Sequence, residues 1–168
     1  RCEYESAEKR YTRPFLPKPY TLMFERRAWY VIGEHGGYGE IRCLKLNRFT
    51  RVEERPDISY EIPRDFSLKK HLGNAWRMIR GDKTYKVHLR FDAKFAEGIA
   101  DTHWHETQET QFAEDGSLDF RCRVDGLDEI VWWVLSMGPH CRVVAPKELA
   151  DRVRELAGKT AALYSAKE

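Results

Sequence analysis

Residues 56–63 carry Pro56 and Pro63 at their ends, and the apolar residues on the two sides of this segment follow different rhythms. Before it, short apolar runs are broken by Pro, Gly and charged clusters. After it, alternation with a period of two repeatedly gives way to a spacing of three to four, the mark of strands exchanging with helices. Proline interrupts a helix or a central strand and holds the residue before it extended. The segment therefore reads as a linker. A chain of 168 residues can be one ordinary domain or two small ones, and the change of rhythm favours two.

The first half offers five short strands, at residues 2–6, 20–25, 28–33, 40–46 and 49–54. Pro14, Pro17 and Pro19 keep the approach to Tyr20 extended. Strands this short and closely spaced predict a small, strongly bent barrel of the Sm or SH3 type. Beyond the linker, Ser67 is an N-cap candidate for a helix carrying Leu68, Leu72, Trp76 and Ile79 at helical spacing.

The second half predicts a strand at 85–91, a helix at 93–100 capped by Asp92, and a strand at 103–112. A turn at Glu114 to Ser117 leads to a strand at 118–124, then a helix at 127–137 stopped by Gly138-Pro139 and a strand at 140–144. Pro146 opens a last helix with Leu149, Val153, Leu156 and Leu163 on one face. This β-α-β-β-α-β order with one added helix is the ferredoxin-like pattern. The expected fold class is α+β, with a barrel over 1–55, a linker and helix over 56–82, and a ferredoxin-like domain over 83–168.

Charge is where function first shows. The net charge of +2 hides an uneven spread, because residues 9–51 hold ten Lys/Arg against three Asp/Glu. An excess of that size suits an anionic partner, and a solvated basic face explains it equally well. On the strand at 40–46, Arg42 and Leu44 face one side while Cys43 and Lys45 face the other. Barrel bends would bring Arg13, Arg42 and Arg48 toward one mouth. Guanidinium groups suit phosphate, and Tyr20, Trp29 and Tyr30 can stack on single-stranded bases.

Other chemistries find little support. Gly36 to Gly39 join two strands of a hairpin, whereas a phosphate-cradling loop leads from a strand into a helix. On a strand, His103 and His105 would point the same way and could share one ion, but no third ligand is evident. No nucleophile elbow occurs, and the adjacent carboxylates Glu53-Glu54 and Asp128-Glu129 read as solvated. Cys2, Cys43, Cys122 and Cys141 form no C-x-x-C pair, which points to free thiols in a reducing cytoplasm. No stretch approaches the ~20 apolar residues of a membrane span. Neither an enzyme nor a cofactor or metal site is expected.

"WYV" (Trp29, Tyr30, Val31) followed by "IRCLKLNRF" resembles the WYL domain, with Val31 in place of Leu and Asn47-Arg48-Phe49 in place of Asp-Arg-Ile. "RPFLPKPYTLMFERRAWYVIG" is similar to that family's lead-in to the same strand. Downstream, "HLGNAWRMIRGDKTYKVHLRF", "HWHETQ", "EDGSLDFRCRV" and "WWVLSMGPHCRVVAPKEL" resemble the WCX extension that follows WYL. A Trp-His-Pro-Ser-Gln-like segment reads Trp104-His105-Glu106-Thr107-Gln108 here.

The resemblance implies the effector-sensing and dimerisation region of a bacterial transcriptional regulator. A helix-turn-helix that contacts promoter DNA is expected ahead of Arg1, which is not a start methionine. The WYL barrel is expected to sense nucleic acid, single-stranded DNA in some members, or a small anionic ligand held by the same arginines. WCX is expected to support a homodimer. Effector positions carry over to Tyr30, Arg42 and Arg48, and by position to Arg13, Tyr20 and Lys45.

Overall fold

The computed structural model describes residues 1–5 and 14–165. Contacts divide the chain into two units, Arg1–His71 and Leu72–Glu168.

The first unit holds β1 (Cys2–Tyr4), β2 (Lys18–Glu25), β3 (Ala28–His35), β4 (Glu40–Lys45) and β5 (Phe49–Val52). Two hairpins build an antiparallel sheet in the order β2-β3-β4. The first turns at Arg26 and Arg27, both at positive φ (48° and 62°), the backbone that a two-residue hairpin loop needs to match strand twist. The second turns at Gly36 to Gly39, where the His35 carbonyl accepts the N–H groups of Tyr38 and Gly39. Gly33 is required by crowding, since a Cβ there would lie 2.1 Å from the Lys18 carbonyl oxygen.

The expected barrel does not close among the described residues. A 3-10 turn at Leu46–Arg48 redirects the chain after β4, and β5 pairs antiparallel with β1 as a separate two-stranded sheet. Cys2, Tyr4 and Phe15 are buried there, with Leu44 and Phe49 packed against them. Tyr4 meets Phe49 edge-on at 5.1 Å, and the Tyr4 hydroxyl accepts the Lys45 N–H at 3.2 Å.

α1 (Leu68–Leu72) starts where the sequence predicts, with Ser67 Oγ accepting the Lys70 N–H at 3.1 Å. It does not reach Ile79. Gly73 takes a left-handed φ of 56° and ends it after a single turn or so. Trp76 instead enters the core of the second unit.

That unit runs β6 (Thr84–Phe91), α2 (Ala93–Ala100), β7 (Glu109–Phe112), β8 (Leu118–Asp125), α3 (Ile130–Ser136), β9 (Cys141–Ala145) and α4 (Lys147–Ser165). The sheet order is β7-β8-β6-β9 with every pairing antiparallel. Asp92 caps α2 by accepting the Phe95 N–H. Alternate residues of β6 and β8 (Val87, Leu89 and Phe91; Leu118, Phe120, Cys122 and Val124) face the helices in one core. Trp133 sits within it, 4.7 Å from Trp76, 5.0 Å from Trp104 and 5.5 Å from Phe120. Trp132, one position earlier, is 53% exposed.

Two expectations are corrected in this unit. His103 to Gln108 form no strand, because Gln108 Oε1 accepts the Trp104 and His105 N–H groups and folds the segment on itself. His105 lies flat on Trp76 and contacts the Ala75 carbonyl and Thr107 hydroxyl, so the alternation that would aim it with His103 at one ion is gone. Glu129 is not solvated either. It is 6% exposed, and its Oε2 accepts the N–H groups of Arg77, Met78 and Ile79 at 2.9, 2.8 and 3.0 Å.

Candidate nucleic-acid interface

In an antiparallel sheet, residues directly opposite share a face. The register pairs Tyr30 with Lys45, Ile32 with Cys43 and Glu34 with Ile41. It pairs Gly33 with Arg42 and Val31 with Leu44, on the other face. Tyr30 and Lys45 are thus brought side by side, both half-buried, while Arg42 points away from them.

Tyr20 belongs to the Tyr30 side. Its hydroxyl donates to Glu34 Oε2 at 3.3 Å, and its ring meets Phe66 edge-on at 4.9 Å. Lys18 donates to the other Glu34 oxygen at 2.8 Å. That contact holds the Glu34 carboxyl below its usual range, and partial burial with the neighbouring carboxylate pushes the Tyr20 phenol up. Lys18 therefore balances the one acidic group in the patch.

Arg48 ends the 3-10 turn after β4 and is half-buried. Arg42 is held by Glu40 at 2.6 Å and lies over the Tyr38 ring at 5.5 Å. It also helps burial keep the His35 imidazole below its usual pKa, where that ring stacks on Phe15 at 3.8 Å. Arg13 lies outside the described residues.

Sequence reasoning missed two parts of this surface. Tyr60 donates to the Pro19 carbonyl at 2.5 Å, and a pocket of about 390 Å³ opens beside it, lined by Arg1, Lys18, Glu34 and Arg55 among others. Phe66 and His71 line a second, of about 380 Å³, next to Ile41. The only sequence signal was the run of Ile58, Tyr60, Ile62 and Phe66, which is more apolar than a solvated linker requires.

A second feature is an apolar face. Phe24 and Trp29 pair across β2 and β3 with rings 5.3 Å apart, 57% and 52% exposed.

The WYL domain family matches residues 1–54, and the WCX domain family matches residues 83–161. No curated protein matches the chain. Among solved structures it is similar to the proteasome accessory factor B/C (PafBC) of Arthrobacter aurescens, at 21% identity and a TM-score of 0.40. That match covers 90% of this chain and 23% of the other, so the chain spans less than a quarter of that protein's length.

Proposed function

This chain belongs to the family that joins a WYL domain to a WCX domain, and from that premise we propose that it is the effector-sensing region of a transcriptional regulator. It acts by binding and not by catalysis, with nucleic acid as the effector, single-stranded DNA first. The observation that carries this is the Tyr30–Lys45 pair. An aromatic face beside a cation, with Tyr20 on the same side, offers one base a stacking platform and one phosphate a charge. Arg48 extends the basic surface, and Arg42 contributes from the other face.

The same premise frames the remaining assignments. We take the two sheets of the first unit as an opened Sm-like barrel over 1–55, joined by 56–82 to a ferredoxin-like domain over 83–168. All four cysteines are free, which fits the cytoplasm. No helix among the described residues is long and apolar enough to cross a membrane. The exposed Trp132 and the exposed Leu163 and Tyr164 on the last turns of α4 suit a homodimer.

The second reading, a small anionic effector, is favoured by the pocket of about 390 Å³ lined by Arg1, Lys18 and Arg55. Salt separates the two. Titration of oligo-dT of increasing length should show affinity falling steeply with salt, by a slope that grows with length until the surface is filled. A slope near that of a single charge, unchanged with length, would leave the small anion. Tyr30→Ala should cost ~1–3 kcal/mol of binding with the salt slope unchanged.

A further inference from the structure

The sheet of the second unit has a face that no helix covers among the described residues. On β6 that face carries Lys86, His88 and Arg90, and on β8 it carries Asp119, Arg121 and Arg123, because the intervening residues fill the core. The register sets Lys86 directly opposite Arg123, and Arg90 directly opposite Arg142 of β9. Like charges placed opposite one another destabilise a sheet. Asp119 relieves one part of the face, meeting His88 at 2.7 Å, Arg90 at 2.9 Å and Arg121 at 3.6 Å. Those contacts hold its carboxyl far below the usual range.

Nothing comparable relieves Lys86 and Arg123. Both are exposed, and neither forms an ion pair among the described residues. A pocket of about 400 Å³ opens between them, lined also by His88, Thr107, Glu109 and Arg121. A face kept only for solubility would not set a lysine against an arginine across two strands, where alternating signs would serve better. Violations of local rules of this kind mark functional surface.

We propose that this face is a second, separate binding surface for the phosphodiester backbone of a nucleic-acid strand. Lys86, His88 and Arg90 succeed one another every second residue, so they span roughly 13 Å along β6. Arg123, Arg121 and Arg142 widen that row on the strands to either side. One phosphate can neutralise one end of such an array; a polymer of phosphates can neutralise the whole. The face carries no exposed tyrosine, tryptophan or phenylalanine on β6 or β8, so binding here is indifferent to base identity. It differs in that from the Tyr30–Lys45 surface.

The test uses the whole chain and the double variant Lys86→Thr/Arg123→Thr, with dT20 and inorganic phosphate as probes. The variant should melt at the same or a higher temperature than the parent, since a repulsive pair is gone. It should bind dT20 at least about tenfold more weakly, with a salt slope lower by about two. Equal affinity for dT20 in the folded variant would overturn the proposal, as would a lower melting temperature with binding unchanged. Phosphate that competes with dT20 at equal concentration of phosphate groups would reduce the face to a small-anion site and overturn it too. Should the double variant fail to fold, Arg142→Gln carries the same readout from the edge strand. Lys45→Ala is run in parallel: loss in that variant alone sinks this proposal and spares the N-terminal surface, and loss in the Thr/Thr variant alone does the reverse.

Discussion

The two units divide their aromatic residues differently, although the second also exposes Phe112, Trp132 and Tyr164. In the second, Trp76, Phe91, Phe120 and Trp133 are buried against one another beneath a sheet. Among the described residues of the first, Tyr4 and Phe15 are the only buried Phe, Tyr or Trp side chains, while Phe24, Trp29 and Tyr38 lie more than half exposed. The carboxylates differ as well. Asp125 and Glu129 are buried and organise backbone in the second unit. Glu34 and Glu40 in the first sit near the surface and pair with single cations. Rings hidden in one core are spent on stability. A unit that shows them has rings left to stack on something else.

Truncation in the two cores should expose that contrast most strongly. Trp133→Ala removes a ring touching four other aromatics and should cost ~3–5 kcal/mol. Phe15→Ala, in a core of three buried residues, should cost less, because so small a cluster can collapse around the gap. Trp133→Phe sharpens the point. The buried Trp133 Nε1 has no hydrogen-bond partner among the described residues, so losing it relieves a desolvated donor and the change should cost less than ~1.5 kcal/mol. Urea unfolding of the three variants checks this. A Phe15→Ala loss larger than that of Trp133→Ala would break the comparison.

Next in size is Glu129. Its carboxylate holds three consecutive N–H groups that no helix satisfies. Glu129→Ala strands those donors and should cost ~2–4 kcal/mol, whereas Glu129→Gln keeps an acceptor and should cost about half as much. Faster amide exchange at Arg77, Met78 and Ile79 in Glu129→Ala would locate the damage. Unchanged exchange there would show that the carboxylate is not what orders the segment.

Glu129 also shows where the sequence stopped being legible. Its neighbour Asp128 is exposed, and nothing local distinguishes the two; the difference arises some fifty residues away, where Gly73 ends α1 early. Helical spacing from Leu68 to Ile79 was present, but a single left-handed glycine outweighed it. The β-α-β-β-α-β order was legible because each element carries its own period and its own stop, such as Asp92 before α2 and Gly138 after α3. Closure of the first unit was not legible, because it depends on which strand β5 chooses, and neither β1 nor β2 announces that choice in its residues. Of the site, the alternation on β4 correctly separated Arg42 from Lys45. The pairing of Lys45 with Tyr30 needed the register, which is set by a turn rather than by the strands themselves.

The smallest effects on stability should come from that last pair of cations, and they decide which face of the first sheet meets the effector. Lys45 and Arg42 lie three residues apart on β4 and point to opposite sides. Arg42 already shares its guanidinium between Glu40 and the Tyr38 ring, so a phosphate must compete for it. Among the described residues Lys45 has Tyr30 across the ladder and no carboxylate partner on that face, where Lys18 occupies Glu34. Both alanine variants should leave stability within ~0.5 kcal/mol, as surface changes do. Lys45→Ala should weaken binding of oligo-dT by ~1–3 kcal/mol and lower the salt slope by about one. Arg42→Ala should weaken it by less than ~1 kcal/mol, since Arg42 is already engaged by Glu40 at an exposed site and has less charge to offer a phosphate. The reverse order in a titration at fixed salt would move the interface to the Phe24–Trp29 face, where two exposed rings lie on the same side as Arg42.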